Sequence, residues 1–286
     1  MLNKKIKIGF FGTPQYAVQA LKKLKESDYE ISFVVTVPDR PKGRKMILTP
    51  PPVKVWAEEN NIAVFQPEKL KSPDFAESIR KFEADVFIVL AYGKIIPDEI
   101  LNIPKHKCLN IHPSLLPKYR GSCPIESAIL NDDKNTGVTI ICIDSEMDHG
   151  PVIWQKESTT TIWPPTTEEL GEELIGTGLQ ALTLILPDWI DGKIPEIEQD
   201  HSKATYTKKI EKEDGLIDLK ANPYQNYLKI QAYHGWPSAY FFINKKDGID
   251  GEKVRVKITE AIFKDNELCI LKVIPEGKSE MNYSDL

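Results

Sequence analysis

Blocks of apolar and polar residues along this chain switch repeatedly between the period of a strand and that of a helix. Residues 5–11 (KIKIGFF) read as a strand that enters a Gly-Thr-Pro turn. There Thr13 is placed to cap, and Pro14 suits the first position of a helix running to about residue 25. Residues 30–37 form the next apolar run. Residues 53–60 read helical, 63–65 extended and 73–81 helical. VFIVLA at 86–91 is continuously apolar, as in a strand covered on both faces. A short helix at 97–101, a strand at 108–112 and a helix at 124–130 follow. GVTIICID and GPVIWQKE then read as strands around a turn, and 167–186 as a long amphipathic helix. This alternation predicts a doubly wound α/β domain with a parallel-rich sheet.

The alternation stops near residue 192. Residues 193–208 are polar without a sustained period and read as a linker. A helix at 224–233 and three β-like segments at 239–243, 254–263 and 268–274 predict a small second domain rich in strands. The expected division is therefore 1–192, 193–208 and 209–286. In YHGWPSAY, Trp236 and Tyr240 are expected in the core of that domain, although exposed aromatics there would suit base stacking.

Composition narrows the function classes. The 286 residues are 41% hydrophobic and 28% charged, with a formal net charge of −5. That balance excludes a basic nucleic-acid coat but leaves room for a local basic patch. No apolar run reaches the span of a bilayer. The basic start followed by a glycine turn reads as a first strand and not as a signal peptide. Four cysteines without CxxC spacing (Cys108, Cys123, Cys142, Cys269) suit reduced thiols in a cytoplasmic protein. The five histidines lack ligand spacing, so no metal site is expected.

The candidate chemistry lies in LNIHPSLLPKYRG, residues 109–121. Asn110 and His112 stand two apart on a strand and share a face. At the carboxyl end of a strand in an open α/β sheet they would face a ligand crevice. The same pair also suits a structural role, with Asn110 capping the turn and His112 bonded to backbone. After the next strand comes Asp148, which suits either a turn or the orientation of an imidazole from a neighbouring strand end. No GxSxG elbow is present. An amide donor, an imidazole and a carboxylate fit transfer of an acyl group directly onto an amine.

NIHPSLLPKYRG, followed by GVTI and MDHGPV, resembles the formyltransferase family that uses 10-formyltetrahydrofolate. The resemblance implies a Rossmann-like catalytic domain and an OB-like β-barrel behind it. It implies Asn110, His112 and Asp148 as catalytic residues. It places Ser114, Leu115, Leu116 and Pro117 at the folate site, with Ala91, Tyr92 and Gly93 on the pterin side. FFGTPQYA, TVPDRPKGRKMILTPPPVKVWAEENNIAVFQPE, KKIEKEDGLIDL and YHGWPSAYFF resemble the branch that formylates the amino group of methionine on initiator tRNA. In that branch the loop at 38–52 meets the tRNA acceptor stem. Here it would do so through Arg40, Lys42, Arg44 and Lys45. Met46 and Ile47 stand where the family has further lysines. The tail ends in KVIPEGKSEMNYSDL, which resembles the family's terminal motif, so the barrel is expected to be reduced internally. A monomer is expected. The rival enzyme readings are an N-formyltransferase of a nucleotide-linked amino sugar and a hydrolase releasing formate from the folate. The rival without catalysis is a nucleotide- or RNA-binding module, but GFFGTP lacks the GxGxxG fingerprint.

Overall fold

The computed structural model describes residues 5–43, 46–158, 160–244 and 253–286. In chain order the elements are β1 (Lys7–Gly12), α1 (Gln15–Glu26), β2 (Glu30–Val35), β3 (Arg40–Lys42), β4 (Ile47–Thr49), α2 (Pro52–Glu59), β5 (Ala63–Phe65) and α3 (Pro73–Arg80). They continue with β6 (Val86–Leu90), α4 (Asp98–Leu101), β7 (Cys108–His112), α5 (Pro124–Leu130), β8 (Gly137–Cys142), β9 (Val152–Glu157) and α6 (Thr167–Ile190). Last come α7 (Pro223–Ala232), β10 (Tyr240–Asn244), β11 (Lys253–Lys264), β12 (Glu267–Pro275) and β13 (Met281–Asn282). The chain forms two compact units. One gathers the described residues up to Ser122, Gly137–Glu157 and Leu174–Tyr206. The other gathers Cys123–Thr136, Ser158–Glu173 and the described residues from Thr207 onward.

The first unit is built on a seven-stranded sheet in the order β5-β2-β1-β6-β7-β8-β9. The pairs from β5 to β7 are parallel, whereas β7–β8 and β8–β9 are antiparallel. This is the expected Rossmann-like, parallel-rich architecture. Every residue of β6 is buried, which is why its sequence shows no polar alternation. Phe11, Phe33 and Phe87 meet at ring separations of 5.3–6.4 Å and centre one core cluster. Each such ring contributes about 1.5–3 kcal/mol by leaving water. Gly9 is required beside them, because a Cβ there would lie 2.4 Å from the Phe33 ring.

Four local readings change. Thr13 makes no cap to α1; its hydroxyl donates to the Tyr92 carbonyl at 3.3 Å and ties the turn after β1 to the turn after β6. The 38–52 segment contains the antiparallel pair β3–β4 and is not wholly irregular. Helix α6 runs through Pro187 to Ile190. The polar stretch after Gly192 is stitched to the first unit: Ile197 pairs with Val152, and Tyr206 with Arg120. A sequence without periodicity gives no sign of such tertiary anchoring.

Burial pushes the Cys142 thiol up to about 12 and raises that of Cys108 as well. Thiolate is the reactive form. Iodoacetamide at pH 8 is therefore expected to leave both unmodified in the native protein and to label both after unfolding. Peptide mass mapping checks this; native labelling of Cys108 would contradict it.

The second unit holds an antiparallel sheet in the order β10-β11-β12-β13. Its core includes Ile217, Ile230, Phe241, Val256, Ile258 and Val273. Asn222 caps α7, accepting from the backbone of Tyr224 and Gln225 at 2.9 and 3.1 Å. The small β domain is present with four strands among the described residues, fewer than the about five of an OB barrel. Tyr240 is buried as expected, but Trp236 is 61% exposed and is not a core residue.

Candidate active site

The register of β7 places Asn110 beside Val89 of β6 and Ile141 of β8, with His112 opposite Thr139. Period-two geometry puts both side chains on one face. Asp148 reaches them by a route the sequence does not reveal. Strand β8 is antiparallel to β7, and its last residue, Cys142, sits beside Leu109 near the start of β7. The carboxyl end of β8 therefore lies at the opposite edge from that of β7. The loop of residues 143–151 returns Asp148. Period-two patterning is the same in parallel and antiparallel strands, so it cannot settle direction.

Within that loop Asp148 takes a left-handed φ of 50°. Its Oδ2 accepts from the Gly121 backbone N–H at 2.7 Å and lies 3.6 Å from His112 Nδ1. Its Oδ1 accepts from Asn110 Nδ2 at 3.4 Å. Two side chains of β7 thus meet the carboxylate of a residue far along the chain. His112 is buried, while Asn110 and Asp148 are half-buried. His112 Nε2 lies 2.9 Å from the Tyr119 carbonyl. A carbonyl only accepts, so Nε2 carries the hydrogen. Nδ1, facing Asp148, is the nitrogen left to exchange a proton. The structural alternative for His112 is thus met at one nitrogen, leaving the other for chemistry.

Tight packing fixes the loop. A Cβ on Gly150 would lie 1.9 Å from the Cys142 carbonyl oxygen. His149 pairs with Asp144 at 2.7 Å and stacks on His201 at 4.0 Å between ring centres. Gln199 donates to the carbonyls of Asp148 and Gly150 at 2.9 and 2.7 Å. Arg120, 1% exposed, donates to Gln199 Oε1 and to His201 Nδ1 at 2.7 and 2.8 Å. Sequence reasoning missed Arg120, Gln199 and His201. The only sign was an arginine three residues after Pro117, and nothing local marks it as buried.

The residues assigned to folate divide by exposure. Ser114 is fully buried; its hydroxyl donates to Lys118 O at 2.6 Å, and its carbonyl accepts from Thr139 at 2.6 Å. Gln155 donates to Leu116 O at 2.9 Å and to Thr139 at 2.8 Å, locking the turn. Leu116 is buried, whereas Leu115 and Pro117 remain half-exposed. Ala91 has φ 47° and Gly93 φ 78°. Tyr92 turns its ring into the core, edge-on to Phe11 at 5.5 Å, and burial raises its hydroxyl to about 12. From Tyr92 only backbone is available to a ligand.

Of the basic loop, Arg40 is exposed on β3 and Lys42 ends that strand. Arg44 and Lys45 lie outside the described residues. Asp39, just before β3, accepts from Lys54 at 2.8 Å and Gln66 at 2.7 Å. Those bonds hold its carboxyl below the usual range. Among the described residues no three His, Cys, Asp or Glu are grouped to hold a metal, and no helix is long and apolar enough to cross a membrane.

Comparison with known proteins identifies the family. Residues 4–185 match the formyl transferase family model, and residues 209–268 match that of the formyl transferase C-terminal domain. A methionyl-tRNA formyltransferase of Sulfurihydrogenibium sp. is 43% identical over 236 residues, covering 82% of this chain and 76% of that protein. Two solved structures share the fold at lower identity. A methionyl-tRNA formyltransferase from Clostridium thermocellum aligns with TM-score 0.63 at 17% identity, covering 94% of this chain and 98% of that one. A sugar N-formyltransferase from Shewanella sp. aligns with TM-score 0.65 at 19% identity, covering 91% and 99%. With 43% identity to a methionyl-tRNA formyltransferase over 82% of its own length, the chain belongs to the methionyl-tRNA formyltransferase family.

Proposed function

We infer that the protein transfers the formyl group of 10-formyltetrahydrofolate to the amino group of methionine carried on initiator tRNA. The convergence of Asn110, His112 and Gly121 N on the Asp148 carboxylate carries the chemical part of this reading. The folate supplies a formyl carbon on nitrogen, open to attack by an amine. The turn after β6 suits its ring system. It lies beside the turn after β1, where strand order reverses, and such points bind ligands. A Cβ on Gly93 would meet nothing within 4 Å, so the backbone there is open to a planar group with donors and acceptors. Leu115 and Pro117 offer apolar contact, and Ser114 holds their turn.

Each site residue then has a distinct task. Asn110 presents an amide N–H to oxygen on which negative charge develops. His112 Nδ1 takes the proton that the amine must lose, and returns it to the folate nitrogen as the bond between that nitrogen and the formyl carbon breaks. Asp148 holds the Asn110 amide and stabilises the charge on the imidazole once Nδ1 has taken the proton. This arrangement needs no covalent enzyme intermediate.

The same reading takes residues 1–192 as the catalytic domain, 193–208 as the connection and 209–286 as the tRNA-binding domain. Arg40, Lys42, Arg44 and Lys45 contact the acceptor stem. The whole chain is acidic, but residues 201–286 carry 14 Lys and Arg against 13 Asp and Glu, which permits a modest, salt-sensitive grip. Arg40→Ala is expected to raise KM for charged tRNA, leave KM for the folate unchanged, and lower the salt slope of tRNA binding by about one. Equal effects on both substrates would remove Arg40 from the tRNA site. We take the protein to act as a cytoplasmic monomer, which light scattering with and without tRNA tests.

The direct test is labelled formyl transfer to charged initiator tRNA, run beside uncharged tRNA and a nucleotide-linked amino sugar. Label on the methionyl amine alone is expected. Label on the sugar alone, or formate released without acceptor, would replace this reading with one of its rivals.

A further inference from the structure

We propose that Gln199 is a positioning residue for the transfer reaction, and that Arg120 dictates the polarity with which it holds Asp148; this rests on the catalytic reading above. Gln199 lies in the polar stretch after α6, outside any helix or strand, yet is 6% exposed.

Its carboxamide is satisfied at both ends by groups that allow one orientation. Arg120 Nε and Nη2 reach one end at 3.3 and 2.7 Å. A guanidinium only donates, so that end is oxygen. The other end is NH₂, and its two hydrogens meet two acceptors, Asp148 O at 2.9 Å and Gly150 O at 2.7 Å. Arg120 is held in turn: its backbone N–H donates to Thr205 O at 2.8 Å, and its Nη2 donates to His201 Nδ1 at 2.8 Å.

The Arg120–Gly121 pair therefore grips Asp148 twice. Gly121 N–H holds the carboxylate directly, and the Arg120 side chain holds the carbonyl through Gln199. Fixing the carbonyl of a residue at φ 50° fixes the direction in which its side chain leaves the backbone. That direction sets the 3.4 and 3.6 Å approaches to Asn110 and His112. A displacement of about 1 Å in such an array costs on the order of 100-fold in rate.

Gln199→Glu separates positioning from general support. A carboxylate keeps and strengthens the contact with Arg120. It also turns an acceptor toward two carbonyls that need a donor, so the Asp148 loop is released while the packing remains. Formyl transfer to charged initiator tRNA is the assay, with thermal unfolding alongside. The expected result is a kcat lowered about 10- to 100-fold, unchanged KM for both substrates, and a Tm lowered by only a few degrees, since two carbonyls lose a donor while the contact with Arg120 strengthens. More than half of the wild-type kcat, or a loss matched by a large fall in Tm or a rise in either KM, overturns the proposal. If the glutamate variant does not fold, Gln199→Met decides. A folded methionine variant with kcat down at least tenfold and KM unchanged supports positioning; any other outcome overturns it. The wild-type control separates the two ideas. A wild type that does not formylate tRNA ends the functional reading, whereas an active wild type matched by its variants ends only this inference.

Discussion

Asn110→Ala is expected to lower kcat by on the order of 10²–10³, equivalent to about 2.7–4 kcal/mol of transition-state stabilisation, with little change in Tm. The asymmetry follows from its surroundings. Asn110 is half-buried and its amide makes a long 3.4 Å bond to Asp148, so truncation leaves no strong internal contact broken. What is lost is a donor aimed at charge that exists only during reaction. KM for either substrate should therefore change little, because uniform binding is untouched. His112→Ala is expected to lower kcat comparably but also to destabilise the fold. It empties a buried position and removes the His112 hydrogen bond to the Tyr119 carbonyl, a loss of about 1–3 kcal/mol. Steady-state kinetics with thermal melts on the two variants check both statements. An Asn110→Ala enzyme with half the wild-type kcat would exclude Asn110 from charge stabilisation. A His112→Ala enzyme with unchanged Tm would show that the Tyr119 bond contributes nothing.

Gly150→Ala is the second large effect, and it acts through space, not chemistry. The added methyl would stand 1.9 Å from the Cys142 carbonyl oxygen, which is a backbone atom and cannot rotate away. The N–H of the same residue, Cys142, bonds to Pro151 O at 2.9 Å, so the two sides of the loop are already closed on one another. Separating them costs about 1–3 kcal/mol or more. For a chain of this size that is a fall in Tm of about 3–10 °C. The loop must open by more than an ångström, and Asp148 lies two residues away. Activity is thus expected to fall more steeply than stability at assay temperature. Calorimetry and formyl transfer measured on one preparation test this. A variant with wild-type Tm would mean that the loop accommodates a side chain at no cost, and the close approach would lose its role.

The secondary structure of the first unit was legible because its signals are local. A continuous apolar run means a covered strand, as in β6, and a Gly-Thr-Pro turn means strand into helix. Asn110 and His112 on one face of β7 follow from a period of two and from nothing else. Three of the failures have one cause. Thr13 bonding to Tyr92 O, the exposure of Trp236, and the attachment of residues 193–206 all depend on partners far along the chain.

The candidate site shows the same division more sharply. Asn110, His112 and Asp148 were each nameable from residue type and spacing, since chemistry restricts which side chains can donate, exchange a proton or hold an imidazole. Their meeting was not derivable, because a strand's pattern carries no sign of its direction, and the loop after the antiparallel β8 has to carry Asp148 back to β7. Arg120 and Gln199 were invisible for the same reason. A buried arginine is defined by what surrounds it, and an amide in a polar stretch looks solvated until two carbonyls and a guanidinium close on it. Local sequence encodes which groups are present and which face they take; only long-range packing brings a carboxylate within 4 Å of an imidazole and holds it there.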